Sequence, residues 1–158
     1  MNRISLSLQR MHLKSVFPSS IVKIFRNQSL EWIHILKPSP FSNSYKVKLI
    51  YILHKGLKFY VLEPKLKLRE GENFLPHVYS TSEQRLCLYY PDGQAWNASK
   101  LYVDTIIPWA CEWLLFYELW LATGEWYGGG VCHTNEAEKK LHELEQINNS
   151  EPNKQNKN

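Results

Sequence analysis

This 158-residue chain has no long uncharged apolar run and few cysteines. The nearest approach to such a run, Ile106 to Ala122, carries Glu112 and Glu118. A bilayer span needs about 20 consecutive apolar residues, so no membrane crossing is expected. The opening Met1-Asn2-Arg3 does not lead into the apolar segment and small-residue cleavage site of a secretory signal. The three cysteines are Cys87, Cys111 and Cys132. An odd count argues against a disulfide framework and for a reducing compartment, with the cytoplasm as the expectation. Charge of one sign is not in large excess. The net charge of +4 is mild, and direct nucleic-acid binding, which usually needs a basic stripe, is not expected. Lys46, Lys48, Lys55, Lys58, Lys65 and Lys67 fall in or near predicted strands and turns, where edge and surface lysines keep strands soluble. An acidic protein or nucleic-acid partner is the less favoured use for them.

What the chain does have is apolar mass, at 44%, including six Trp. That suffices for one domain with a ring-rich core. The domain is expected over residues 1–146, with a disordered polar tail over 147–158.

The pattern along the chain predicts an α+β fold. Residues 4–15 are read as a helix with Leu6, Leu8, Met11 and Leu13 as its apolar positions, ended by Pro18. Ser29 to Leu36 reads as an inner strand with layers on both faces. Tyr45 to Ile52 alternates most cleanly. His54-Lys55-Gly56 turns the chain into a third strand, Phe59 to Glu63, stopped by Pro64. An irregular segment over about residues 65–84 precedes a fourth strand, Arg85 to Tyr90. The expectation is therefore a four-stranded antiparallel meander packed against helices. Pro91-Asp92-Gly93 signals a turn. Pro108 suits the first turn of a long aromatic helix that runs to about Thr123, capped by Gly124. This helix is expected to be central and buried on most sides. Gly128-Gly129-Gly130 breaks the chain, and Asn135 caps a last helix, Glu136 to Gln146.

A thiol attacks a carbonyl carbon only as the thiolate, so a catalytic cysteine needs partial exposure and helpful neighbours. Alternation in the Arg85–Tyr90 strand places Arg85, Cys87 and Tyr89 on one face and Leu86, Leu88 and Tyr90 on the other. Cys87 would then share its face with a charged and an amphipathic residue. Arg85, about 7 Å away along the strand, would assist ionisation only modestly. A buried, inert cysteine fits the local pattern as well, because free cysteines commonly behave as small core residues.

His77 lies ten residues before Cys87, which sits in Leu86-Cys87-Leu88. In this offset, and in the order helix, meander, irregular segment, cysteine, helices, the chain resembles the ubiquitin-conjugating enzymes. It resembles more closely their bacterial relatives from antiphage defence operons of the CBASS type. Pro76 to Tyr79, Leu86 to Tyr89, Pro91-Asp92, Trp96, Ile106 to Leu114, Tyr117 to Trp126 and Gly128 to Gly130 carry that likeness, which spans about residues 28–133.

The resemblance implies a ubiquitin-conjugating-type fold and an acyl group carried as a thioester on Cys87, with an amine, usually lysine, as acceptor. It implies a cyclic-oligonucleotide synthase as the modified protein. It also implies either a separate activating enzyme or membership of the shorter operons that lack one. His77 would hold the loop before the cysteine or act directly on protons. The family's His-Pro-Asn triplet supplies an asparagine amide near the oxyanion, and here Tyr79 stands in that place. A phenol donates one hydrogen bond, and losing such a donor without replacement costs on the order of 10²-fold. The alternative is a non-catalytic binding or scaffolding module on the same fold.

The remaining candidates carry less. Gly128-Gly129-Gly130 could swing His133 toward Cys87, where a Cys–His pair would stabilise a thiolate. A solvent-facing loop histidine is the favoured reading. Asp92 and Asp104, near the site in sequence, are candidate acceptor-orienting carboxylates, and turn and helix-start roles, the favoured reading, explain both as well. Cys87, Cys111, Cys132 and His133 have ligand chemistry for zinc but no Cys-x₂-Cys spacing, so no metal is expected. The glycine run lacks the Lys-Ser/Thr of a phosphate-binding loop, so no cofactor is expected there.

Overall fold

A computed structural model describes residues 2–90 and 94–129. The first helix, α1 (Leu6–Val16), begins where the Ser5 hydroxyl accepts the Leu8 amide at 3.2 Å. Its buried stripe is Leu6, Gln9 and Leu13, while Leu8 and Met11 face solvent. A polar residue thus occupies a position that apolar counting would give to leucine. Gln9 is satisfied there at both ends, since Nε2 donates to the Lys100 carbonyl at 2.9 Å and Oε1 accepts the Tyr102 amide at 3.1 Å. The side chain ties α1 to the segment that leads into the second helix.

Among the described residues the sheet has six strands rather than four: β1 (Ile21–Phe25), β2 (Ser29–Leu36), β3 (Tyr45–Ile52), β4 (Gly56–Glu63), β5 (Val78–Ser80) and β6 (Arg85–Leu86), in the order β1-β2-β3-β4-β6-β5. All pairings are antiparallel. β2, β3 and the end of β4 fall where alternation predicted them. β1 escapes a sequence reading because its turn carries no glycine: Arg26 and Asn27 take positive φ, 47° and 53°, without that signal. β5 is a three-residue strand inside the segment read as irregular, held only by its partner β6. The predicted fourth strand also stops early. Only Arg85 and Leu86 pair in regular fashion, and the chain leaves the ladder at Cys87.

One sheet face is core. Leu30 and Trp32 from β2, Val47 and Leu49 from β3, and Phe59 and Val61 from β4 are all fully or nearly buried. Among the described residues the other face carries no covering layer, whereas layers were expected on both sides of β2. Ile35 is 59% exposed there, and Lys48 lies 3.9 Å from Glu31 across the strands.

The second helix, α2 (Ile106–Thr123), buries Ile106, Ile107, Ala110, Trp113, Leu114, Tyr117 and Trp120. Pro108, Glu112, Leu115 and Leu119 stay exposed, so among the described residues the helix is covered on one side rather than on most sides. Gly124 closes it with φ 86°, its amide donating to Trp120 O at 2.8 Å. Arg69 adds a second closure, with Nη1 3.1 Å from the Trp120 carbonyl and 3.2 Å from that of Leu121. A cation on the last carbonyls of a helix favours the negative end of its dipole. Tyr117 binds the irregular segment through one hydroxyl, which accepts the Lys67 amide at 2.8 Å and donates to the Lys67 carbonyl at 3.2 Å. Among the described residues, no helix is long and apolar enough to cross a membrane. The predicted turn at 91–93, the helix at 136–146 and the tail at 147–158 lie outside the described residues.

Candidate active site

Cys87 sits where β6 ends, and its amide still donates to the His77 carbonyl at 3.1 Å. That oxygen also accepts the Trp113 indole Nε1–H at 3.0 Å. One backbone carbonyl therefore fixes the cysteine's main chain to α2. His77 can present it because the residue takes a left-handed φ of 48°, a conformation that histidine tolerates better than most side chains. Its imidazole stacks on Trp126, with centroids 4.9 Å apart and planes 23° from parallel.

The Cys87 side chain is partly buried and in no disulfide among the described residues, and its Sγ donates to the Tyr89 carbonyl at 3.8 Å. It lines a cleft of about 390 Å³ together with His77, Leu88, Tyr89 and Tyr90 on one side, and Trp109, Glu112, Trp113 and Phe116 of α2 on the other. Trp126, Gly128 and Gly129 complete the wall. The α2 residues follow i, i+3, i+4, i+7 spacing, which puts them on one helix face. Glu112 is the only carboxylate among the described lining residues.

Tyr79 reaches the cysteine from the opposite side. Its hydroxyl hydrogen-bonds Cys87, and Arg85 lies over its ring, 4.6 Å from the centroid. Burial raises the Tyr79 phenol well above its ordinary value, the neighbouring Cys87 adds to this, and Arg85 opposes it. Tyr79 is thus a neutral donor throughout the physiological range. Tyr89 is pushed up to about 12, again first by burial and then by Cys87. A second cleft, of about 260 Å³, runs along this side and is lined by Lys55, Leu57, Phe59, Tyr79, Arg85, Leu88 and Tyr89. Leu88 and Tyr89 belong to both walls, so the short stretch after the cysteine partitions the two clefts.

The structure brings together Cys87, His77 and Tyr79 among the residues singled out from sequence. Leu88, expected in the core with Leu86, packs partly buried against it, whereas Tyr90 does not share that face, because the chain has already left the ladder. Leu88 lines both clefts, and Tyr90 is 53% exposed. Asp104 is exposed and is not part of the cleft wall. Asp92, Cys132 and His133 lie outside the described residues. Cys111 is half-buried in α2, where burial raises its thiol above the ordinary range. Among the described residues, no three His, Cys, Asp or Glu side chains gather as metal ligands would.

Glu112 and Trp126 line the Cys87 cleft and were not picked out by sequence reasoning. The available signal was the stripe Trp109, Glu112, Trp113, Phe116, which reads as core packing interrupted by one charge. Trp109 and Phe116 are only partly buried and face the cleft.

The family model described as "Type II CBASS E2 protein" matches residues 9–134, well over half of the chain. No curated protein matches it.

Proposed function

The chain belongs to the type II CBASS E2 family, and from that premise we propose that it is a thioester-forming acyl transferase of ubiquitin-conjugating type, with Cys87 as nucleophile. The observation that carries this reading is the partly buried Cys87 side chain lining an aromatic cleft, its main chain held by His77 and its sulfur met by the Tyr79 hydroxyl.

In this reading the Cys87 sulfur attacks a donor carbonyl, forms the thioester and expels the donor's leaving group. An amine then attacks the same carbonyl, a C–N bond forms, and the C–S bond breaks. Each attack moves negative charge onto the carbonyl oxygen, where a positioned donor acts most strongly. We assign that role to Tyr79, whose hydroxyl meets the Cys87 side chain, in the position where the wider family has asparagine. His77 acts mainly through its carbonyl, as a positioning residue. The modified protein is a cyclic-oligonucleotide synthase joined through its own C-terminus, with a separate activating enzyme where the operon encodes one. The setting is the reducing cytoplasm, which keeps the thiol reduced.

The rival reading, a scaffold with an inert thiol, requires Cys87 to be walled off. A partly buried Cys87 side chain on an open cleft weighs against it. The deciding experiment is intact-mass analysis of the synthase coexpressed with the wild-type chain and with Cys87→Ala. The expected result is a covalent conjugate, or a thioester on Cys87, that disappears in the variant. Conjugation that persists unchanged with Cys87→Ala would overturn the assignment.

A further inference from the structure

The geometry points to Glu112 as the group that receives the acceptor amine, so that the cleft selects a cationic primary amine over neutral nucleophiles; this rests on the thioester reading above. Three observations carry it. First, Glu112 lies on the exposed face of α2 and lines the same cleft as the Cys87 thiol. Second, its flanking residues on that helix face, Trp109 and Phe116, are aromatic and partly exposed to the cleft. Aromatic faces beside a carboxylate suit an alkylammonium, whose methylenes pack on the rings while its charge meets the ring faces and the carboxylate. Third, charge is sorted across the cysteine. The second cleft carries Lys55 and Arg85 and no carboxylate among its described lining residues, so it repels an ammonium that the first attracts.

The chemistry needs such a group. A lysine-type amine has a reference pKa of about 10.4, so near neutral pH almost all of it is protonated and not nucleophilic. In the step assigned here, the ammonium gives one proton to the Glu112 carboxylate. The freed lone pair attacks the thioester carbonyl, the C–N bond forms and the C–S bond breaks. The second nitrogen proton ends on the Cys87 sulfur, and Glu112 returns its proton to water. No other reactant is required.

The test uses the full chain loaded on Cys87 from N-acetylglycine thiobenzyl ester. Single-turnover discharge of the loaded population is followed by intact mass with n-butylamine, cationic at pH 7.5, and with trifluoroethylamine, neutral at that pH. Reading rate constants of the loaded fraction removes any effect on loading. The ratio of the two rate constants is expected to fall about tenfold or more in Glu112→Gln, since a positioned acid–base group contributes on the order of 10² or more. Glu112→Asp should recover part of it. A ratio unchanged in Glu112→Gln, including the case where both amines slow equally, would overturn the inference while leaving the thioester reading in place. Failure of the wild-type chain to form any Cys87 thioester would remove both.

Discussion

The Trp113 indole donates its Nε1–H to the His77 carbonyl at 3.0 Å, and the same oxygen accepts the Cys87 amide. A helix side chain thereby sets the height of Cys87. Trp113→Phe keeps an aromatic ring at a position 4% exposed but deletes that donor. Losing a typical hydrogen bond costs about 0.5–1.5 kcal/mol, and the smaller ring adds a packing loss of similar size. The expected outcome is a destabilisation of about 2 kcal/mol in urea unfolding, with slower acylation of Cys87 in the folded protein. Wild-type acylation kinetics in this variant would show that the shared carbonyl does not position the thiol.

Tyr79 supplies the second relationship. Tyr79→Phe removes the hydroxyl that meets Cys87 and leaves the ring under Arg85. If that hydroxyl stabilises the developing oxyanion, transfer from a preformed Cys87 thioester should fall by about 10², with the fold intact by circular dichroism. Tyr79→Asn, which restores the wider family's side chain, should recover more activity than Tyr79→Phe. Equal activity in Tyr79→Phe and wild type would assign Tyr79 to packing alone.

The site was legible in sequence as far as local spacing reaches. His77, Tyr79 and Cys87 lie within eleven residues, and a β-hairpin brings them together. β3 was readable because each Cβ alternates between a core of Val47 and Leu49 and an outer face bearing Lys46 and Lys48. Glu112 was not, because a lone carboxylate on an aromatic helix looks like ordinary surface. It becomes part of a site only when the chain after α2 folds back and lays Trp126 against Trp113 and Phe116, with centroids 5.4 and 5.9 Å apart. Gln9 shows the same limit. Its buried position follows from two distant backbone partners, which no helical periodicity reveals.

Alkaline pH should unfold this protein readily. Burial raises the phenols of Tyr45, Tyr79, Tyr102 and Tyr117, and moves Tyr89 to about 12. Above the unfolded tyrosine pKa of about 10, the unfolded chain releases protons that the folded chain retains. The unfolded state then binds fewer protons, so stability falls as pH rises. This contribution is fully present below about pH 10 and is lost as pH climbs through the folded values. Thermal melts at pH 8, 10 and 11 should show little change over the first interval and a clear drop over the second. A melting temperature flat to pH 11 would contradict the burial of these hydroxyls.

Gly128 and Gly129 separate packing from freedom at the cleft wall. A Cβ on Gly128 would lie 2.7 Å from both Phe116 Cδ2 and Trp126 Nε1, whereas one on Gly129 meets nothing within 4 Å. Trp126 is the ring on which His77 stacks, so a methyl at Gly128 must displace it or Phe116. Gly128→Ala should therefore cost about 1–3 kcal/mol through overpacking and slow Cys87 acylation by disturbing the His77 side of the cleft. Gly129→Ala should be close to silent in both measurements. The paired variants isolate the steric effect, because each removes one glycine from the same loop and adds the same methyl. Equal behaviour of the two in urea unfolding and in acylation would mean that Gly128 does not hold Trp126 against His77.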